Sequence, residues 1–423
     1  MRAAFIVNTF PEMSETFILN QLTGLVERGH EVDIYADRPA IMPEKIHSDI
    51  ERFQLIRRTH YRKEIPTAKL ARLKSGALRI LRGGWRYPGP TLNSLNVFRH
   101  GRRAINLSLL HRIFPAETTG PYYDIIHCHY GPNGQRVVQL RQGGTLRGPV
   151  ITTFHGYDAN LLPRIHGQGL YQILFQEGDL FTVGSEFMRQ RIISLGAPAE
   201  RIVKLPMGVD VSRHRFVERR NPPGAEVRLL TIARLVEVKG LEYLLSALAL
   251  LKIRCPQLRC QIAGDGPLRS KLETMAMKLG LDHVVEFNGA VSSEEALRLY
   301  EAAHVFVLPS IPTEAGEVEN QPVVLAEAQA GGLPVIATRI GGIPESMREG
   351  ESGLLVPPRD AEALASAIAW LAEHPERWVE MGQAGRTFVE REFNLQKLND
   401  RLVEIYSELT DSKKRNRALA LAL

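Results

Sequence analysis

Apolar positions in this chain fall into short unbroken runs, separated by stretches of helical period. The first run, Ala3–Val7, reads as a strand buried on both faces. A loop with Pro11 and Ser14 follows. From Glu15 onward Phe17, Ile18, Leu22, Leu25 and Val26 share one helical face. Gly29 and His30 stop that helix, and Glu31–Tyr35 is the next strand, which completes a βαβ unit. Asp124–His129, Val150–Phe154 and Asp179–Val183 read as further buried strands, with Ser185 placed to cap the helix after the last. The rhythm restarts at the strand Val227–Ala233. Helix Glu242–Leu251, strand Leu258–Ala263 and helix Leu268–Leu279 follow, then strands Val284–Phe287, Ala303–Leu308, Pro334–Thr338 and Gly353–Val356.

Strands alternating with helices of about ten residues predict parallel sheets. The predicted fold class is therefore α/β, with two Rossmann-like domains whose parallel sheets face one another across a cleft. The first domain spans 1–205 with an insertion at about 50–115, the second spans 206–395, and 396–423 form a C-terminal helix and tail. Leu205–Asp210 and the turn-rich Asn221-Pro222-Pro223-Gly224 mark the connection. The basic end of the tail, Lys413-Lys414-Arg415-Asn416-Arg417, is expected to be mobile or surface-bound. In open α/β sheets ligands bind beyond the carboxyl ends of the strands, so the loops there are where chemistry is sought.

Composition narrows the class. A length of 423 residues exceeds one ordinary core, and 44% hydrophobic with 24% charged residues excludes a disordered chain. No run approaches the roughly 18 apolar residues of a membrane span, and the first apolar run is too short for a secretory signal, so a cytoplasmic protein starting at Met1 is expected. Cys128, Cys255 and Cys260 are expected to be reduced thiols, with no cluster to complete a zinc site.

Charge is unevenly spread. The net value is +6, yet between Arg52 and Arg112 fifteen Lys and Arg face a single acid, Glu64. Leu70, Leu73, Leu78, Ile80, Leu81, Trp85 and Tyr87 lie among them. Such interleaving suits an anionic lipid surface, or else a solvated helical insertion. No nucleic-acid-binding motif accompanies it.

The densest candidate chemistry is Glu319-Asn320-Gln321-Pro322-Val323 through Glu327 to Gly331-Gly332. Pro322 can open a helix at its first position. Glu319 then precedes the helix and Glu327 lies inside it, with eight helical residues covering about 12 Å. One carboxylate can hold hydroxyls of a hexose and the other a ribose diol, with amides near Asn320–Val323 facing oxygen-rich groups between them. Solvent-facing glutamates would show the same spacing, but the alanines around Glu327 leave its charge in need of a partner. Glu314 and Glu317 compete for the first role, and Glu319 is preferred because it abuts the helix. After the strand Val227–Ala233, Arg234 and Lys239 can converge on a diphosphate. Gly264 opens a Gly-Asp-Gly-Pro turn near the expected nucleotide base, or serves as a plain strand-to-helix turn. Gly341-Gly342-Ile-Pro344-Glu345 either lets backbone approach a ligand or forms a tight turn.

In the first half His155 follows a strand and can enter the cleft. His127 and His129 alternate around Cys128 without an evident third metal ligand and read as structural. Ser14, Glu15 and Thr16 open the first helix, with Ser14 as the cap, and can face a phosphate or an acceptor. No Asp-x-Asp motif is present to hold a divalent cation, so no metal and no cofactor are expected. Arg234 and Lys239 would neutralise a leaving diphosphate instead.

Together these motifs resemble the retaining family-4 glycosyltransferases of GT-B fold. The N-terminal Phe10-Pro-Glu-Met-Ser14-Glu15-Thr16-Phe17 and Arg28-Gly-His-Glu-Val32 are similar to the bacterial exopolysaccharide branch, the colanic acid and amylovoran type. The resemblance covers nearly the whole chain. It implies hexosyl transfer from a UDP- or GDP-sugar to a saccharide acceptor, lipid-linked in this branch, with retained anomeric configuration. It implies Arg234 and Lys239 on the diphosphate, Glu327 on ribose, Glu319 on sugar hydroxyls and His155 beside the reacting sugar. Many relatives carry an aromatic residue and Gly where this chain has Asn320-Gln321-Pro322, which leaves the donor sugar open. A GT-B nucleotide-sugar epimerase and a non-catalytic sugar-nucleotide-binding scaffold at the membrane are the alternatives. The expected location is peripheral, on the inner face of the cell membrane.

Overall fold

The computed structural model describes residues 1–12, 15–39, 47–62, 68–81, 91–92, 94–107, 110, 122–142, 146–222 and 224–422. Two parallel sheets form its frame. The first contains β1 (Arg2–Phe10), β2 (Glu31–Pro39), β3 (Thr59–Tyr61), β4 (Ile125–His129), β5 (Val150–Phe154), β6 (Leu180–Val183) and β7 (Ile202–Lys204), in the order β3-β2-β1-β4-β5-β6-β7. The second contains β8 (Val227–Ile232), β9 (Leu258–Ala263), β10 (Val285–Gly289), β11 (Val305–Leu308), β12 (Val335–Thr338) and β13 (Gly353–Val356), in the order β10-β9-β8-β11-β12-β13. Every residue of β4, β5, β11 and β12 is buried, which is why these strands read as unbroken apolar runs. The three-residue β3 and β7 are too short to show a period and escape sequence reading.

Strand order reverses between β1 and β4 in one sheet and between β8 and β11 in the other. The loops leaving these four strands flank the crevice where an open α/β sheet receives a ligand. Glu15 and Tyr130 follow β1 and β4, and Arg234 and Glu319 follow β8 and β11.

The chain crosses between the domains twice, and the crossings are bonded to each other. Val209 N–H donates to Phe393 O at 2.7 Å, and Leu395 N–H to Val209 O at 3.0 Å. The last helix, Leu395–Ala422, returns to the first domain. Its Leu402, Ile405 and Tyr406 join the core of β1 and β2, and Asn399 donates to Asn20 O at 3.2 Å. The side chains of the basic end, 413–417, lie outside the described residues.

Candidate active site

Beyond β8 the chain presents Arg234, makes a single 3₁₀ turn over Glu237–Lys239 and enters helix Leu241–Leu251. Gly264 has φ +134°, and a Cβ there would lie 1.8 Å from Ala233 O. Leu235 N–H donates to Asp265 O at 2.9 Å. The Gly-Asp-Gly-Pro turn is thus pressed against the strand end that carries Arg234 and fixes its position. The Arg234 guanidinium has no hydrogen-bond or ion-pair partner among the described residues, while its carbonyl accepts from Val236 N–H at 2.9 Å. Its charge reaches Glu15 across the cleft. Burial raises the Glu15 carboxyl, while the Tyr130 hydroxyl, donating at 2.6 Å, and the Arg234 charge pull it back.

Lys239 ion-pairs with Glu319, and both side chains are largely buried. Of the three competing acids, Glu319 is therefore the one that meets the predicted phosphate cation. Glu314 is exposed, and Glu317 closes a turn with Thr313. The helix starts one residue later than expected: Val323–Ala330 is helical and Pro322 is its N-cap with ψ 107°. Gly341 and Gly342 lie flat against the preceding loop, where added Cβ atoms would fall 1.9 Å from Glu319 O and 1.9 Å from Asn320 O. The clearance these glycines provide is taken up by protein backbone at that point.

Glu327 accepts from the Tyr300 hydroxyl at 2.8 Å. Burial raises its carboxyl, opposed by Tyr300 and the Arg213 charge. Two arginines absent from the sequence reading pin the end of its helix. Arg219 donates to Gly331 O, Val217 O, Tyr300 O and Ala303 O at 2.6–2.8 Å. Arg386 donates to Ala330 O and His214 O, both at 2.8 Å. Cations at a helix C-terminus satisfy its free carbonyls and complement its dipole. Nothing in the local sequence marks Arg219.

The start of the same segment holds the domains together. Gln321 accepts from Met207 N–H at 2.8 Å and donates to Met207 O at 2.9 Å. Asn320 takes the Ser185 hydroxyl and donates to His155 O at 3.3 Å. Both side chains are engaged at the seam between the domains. Glu345 completes the seam. Its carboxylate accepts from Glu186 N–H at 2.8 Å, Phe187 N–H at 2.9 Å and Lys204 Nζ at 2.7 Å. Those two amides begin helix Glu186–Ser194 of the first domain, so a carboxylate of one domain caps a helix of the other. Despite partial burial, these donors hold Glu345 below the ordinary carboxylate range.

Of the first-domain candidates, Glu15 is the N-cap of helix Thr16–Glu27 and makes no side-chain cap bond. Thr16 is the first residue of that helix, and Ser14 lies outside the described residues. His155 meets the seam through its backbone, and its ring is the outermost of a stack with His129 and His127, at centroid distances of 5.2 and 4.6 Å. The third histidine that the chain order concealed is thus His155. No group of three or more metal-binding side chains is formed among the described residues, nor is any described helix long and apolar enough to cross a membrane.

Residues 14–213 match the family model described as Glycosyltransferase Family 4, and residues 212–388 match that of Glycosyl transferases group 1. The chain is 36% identical over 410 residues to a putative colanic acid biosynthesis glycosyltransferase, WcaL, of Salmonella typhimurium, covering 96% of this chain and 99% of the relative. It is 34% identical over 416 residues to the amylovoran biosynthesis glycosyltransferase AmsK of Erwinia amylovora, covering 97% and 100%. Among solved structures, Anabaena HepE in complex with UDP superposes with TM-score 0.69 at 17% identity, covering 96% of this chain and 100% of that one. Sucrose-phosphate synthase of Thermosynechococcus elongatus gives 0.70 at 22%, covering 97% and 100%. At such identities these two structures speak for the fold alone.

Proposed function

This chain belongs to the family-4 glycosyltransferases with the GT-B fold, and from that premise we propose that it moves a hexose from a UDP- or GDP-sugar to a lipid-linked saccharide, with retention of configuration, in exopolysaccharide or cell-surface polysaccharide synthesis. The observation that carries this reading is the Lys239–Glu319 pair at the seam, one residue from the Asn320 amide that bonds His155 O. A diphosphate entering beside Arg234 would take Lys239 from Glu319 and leave that carboxylate for the sugar hydroxyls. Glu327, already bonded to Tyr300, would accept from the ribose diol. The acceptor hydroxyl attacks C1 from the face the nucleotide leaves, and the departing phosphate oxygen takes its proton. Arg234 and Lys239 stabilise the charge that collects on that phosphate. Exopolysaccharide synthesis is supported by the near full-length similarity to relatives named for colanic acid and amylovoran synthesis.

Incubation with a panel of nucleotide sugars, with and without membrane extract, followed by mass spectrometry, tests the activity. Transfer is expected only with acceptor present; conversion of the nucleotide sugar without acceptor would indicate an epimerase, and binding without turnover a scaffold. Lys239→Ala should lower kcat by about 100-fold, the scale of one lost preorganised charge contact, and undiminished turnover would remove Lys239 from the mechanism.

An anionic membrane surface is proposed to dock the basic insertion. On helix Lys69–Arg79 and just beyond it, Leu70, Leu73, Leu78 and Leu81 recur at helical spacing and are all exposed, with Arg72 and Lys74 between them and Lys69 just before. A purely solvated helix would not require that apolar stripe. Arg82, Trp85, Arg86, Tyr87 and Arg112 lie outside the described residues. Replacing the four leucines with serine should abolish sedimentation with phosphatidylglycerol vesicles, and unchanged sedimentation refutes the docking.

A further inference from the structure

The stacked histidines carry an unequal set of hydrogen bonds. His127 is satisfied on both nitrogens, by the Tyr406 hydroxyl at 2.6 Å and the Thr153 hydroxyl at 2.6 Å. His129 Nδ1 lies 3.0 Å from His155 Nε2. His129 Nε2 is fully buried with no partner among the described residues, and Phe5 stacks on the ring at 5.6 Å. His155 is partly exposed beside Phe17 and Tyr130, at ring-centroid distances of 4.7 and 4.6 Å, and its Nδ1 has no hydrogen-bond partner among the described residues and is not among the enclosed unpartnered atoms. Burial draws His127 and His155 down to about 3 and His129 well below its usual value, so all three rings are neutral near pH 7.

Two neutral imidazoles that share an N···N contact place one proton in it, and its owner decides the state of the outer nitrogen. If His155 Nε2 holds the proton, His129 must carry its own on Nε2. That N–H would be sealed beside Phe5 with no acceptor. If His129 Nδ1 holds it, Nε2 is a bare ring nitrogen, an under-satisfied acceptor. Orphaned buried N–H groups are the rarer of the two in folded proteins. We propose that His129 is a positioning residue that fixes the tautomer of His155: His129 Nδ1–H donates to His155 Nε2, and His155 carries its proton on Nδ1, as a donor. His155 then offers an N–H to an oxygen of the transferred sugar. This last consequence rests on the proposed glycosyl transfer; the tautomer does not.

The test uses full-length protein labelled with ¹⁵N-histidine and long-range proton–nitrogen correlation at neutral pH without substrate. The His155 signals are assigned by their loss in His155→Asn. Protonated Nδ1 and bare Nε2 on His155 are expected, the reverse of free imidazole's preference. In His129→Phe, which keeps an aromatic ring in the stack but has no donor, His155 should revert to Nε2-protonated. Its kcat should fall about tenfold, the scale of one lost hydrogen bond, with little change in KM for the nucleotide sugar. His129→Gln, which restores an N–H donor, should recover both. Nε2 protonation in the wild type overturns the proposal, as does Nδ1 protonation that survives His129→Phe. Unchanged turnover in a variant whose tautomer has reversed overturns the positioning role. If His129→Phe does not fold, the wild-type spectrum still decides the tautomer. Failure of the wild type to use any nucleotide sugar counts against the proposed activity alone, because the spectrum is recorded without substrate.

Discussion

Glu345→Ala should loosen the two domains without touching the core of either. The side chain accepts two amides at the start of helix Glu186–Ser194 and pairs with Lys204. Loss of a side chain that caps a helix start costs about 1–2 kcal/mol. The Lys204 pair adds less than about 1 kcal/mol, because Lys204 is half-exposed and water screens the interaction. A total near 2 kcal/mol shifts the balance between juxtaposed and open domains by about 30-fold. Glu345→Gln keeps acceptor oxygen but no charge, so about half the effect should remain. Donor and acceptor dyes on the two domains, read by single-molecule energy transfer, would resolve the populations, and KM for the nucleotide sugar should rise with the open fraction. The contact is also pH-dependent. The folded state depresses this carboxyl, so its stabilisation is fully present above the ordinary Glu value of about 4.3 and is lost as pH falls through the lower folded value. An interdomain distance distribution in Glu345→Ala that matches the wild type at neutral pH would refute the reasoning.

Two further outcomes concern the helix behind the site. Glu327→Gln keeps an acceptor for Tyr300 and removes a buried charge, so ligand-free protein should melt a few degrees higher, on the scale of about 1 kcal/mol. Nucleotide should protect it less than wild type, and calorimetry with and without UDP or GDP reads both effects. Arg219→Met takes the guanidinium donors from four carbonyls, of which Gly331 O keeps the Val217 N–H at 3.2 Å, at a site where burial has already drawn the guanidinium down to about 10. The loss should be about 3 kcal/mol, read as a lower urea midpoint with an unchanged slope.

The frame of this molecule was legible because its central strands are buried on both faces and therefore uninterrupted in sequence. The second-domain candidates could be picked out because Arg234 and Lys239 lie on the loop after β8 and Glu319 precedes the helix that Pro322 marks. What escaped was work done at a distance. Glu345 was read with its glycine turn, yet its partners stand some 150 residues earlier on another domain, and no local pattern encodes that. The neighbouring Gly-Gly pair was the available signal, since a backbone without Cβ atoms invites close packing. His155 could not be joined to His127 and His129 because the parallel pairing of β4 with β5 creates the stack. Arg219 looked like any surface cation in a polar connector. The last helix looked like an appendage because its partners, Asn20 and His127, lie near the other end of the chain.

That returning helix changes what kind of object the second domain is. Chain on either side of the second domain packs in the first, β1–β7 before it and Leu402, Ile405 and Tyr406 after it, so the second domain is held by two adjacent strands of covalent chain. A body hung on one tether can swivel in any direction. A body hung on two that are bonded side by side, as Val209 is to Phe393 and Leu395, is confined to rocking about the line through them. Arg234 and Lys239 on one side and Glu15 and His155 on the other are thereby restricted to one direction of relative movement.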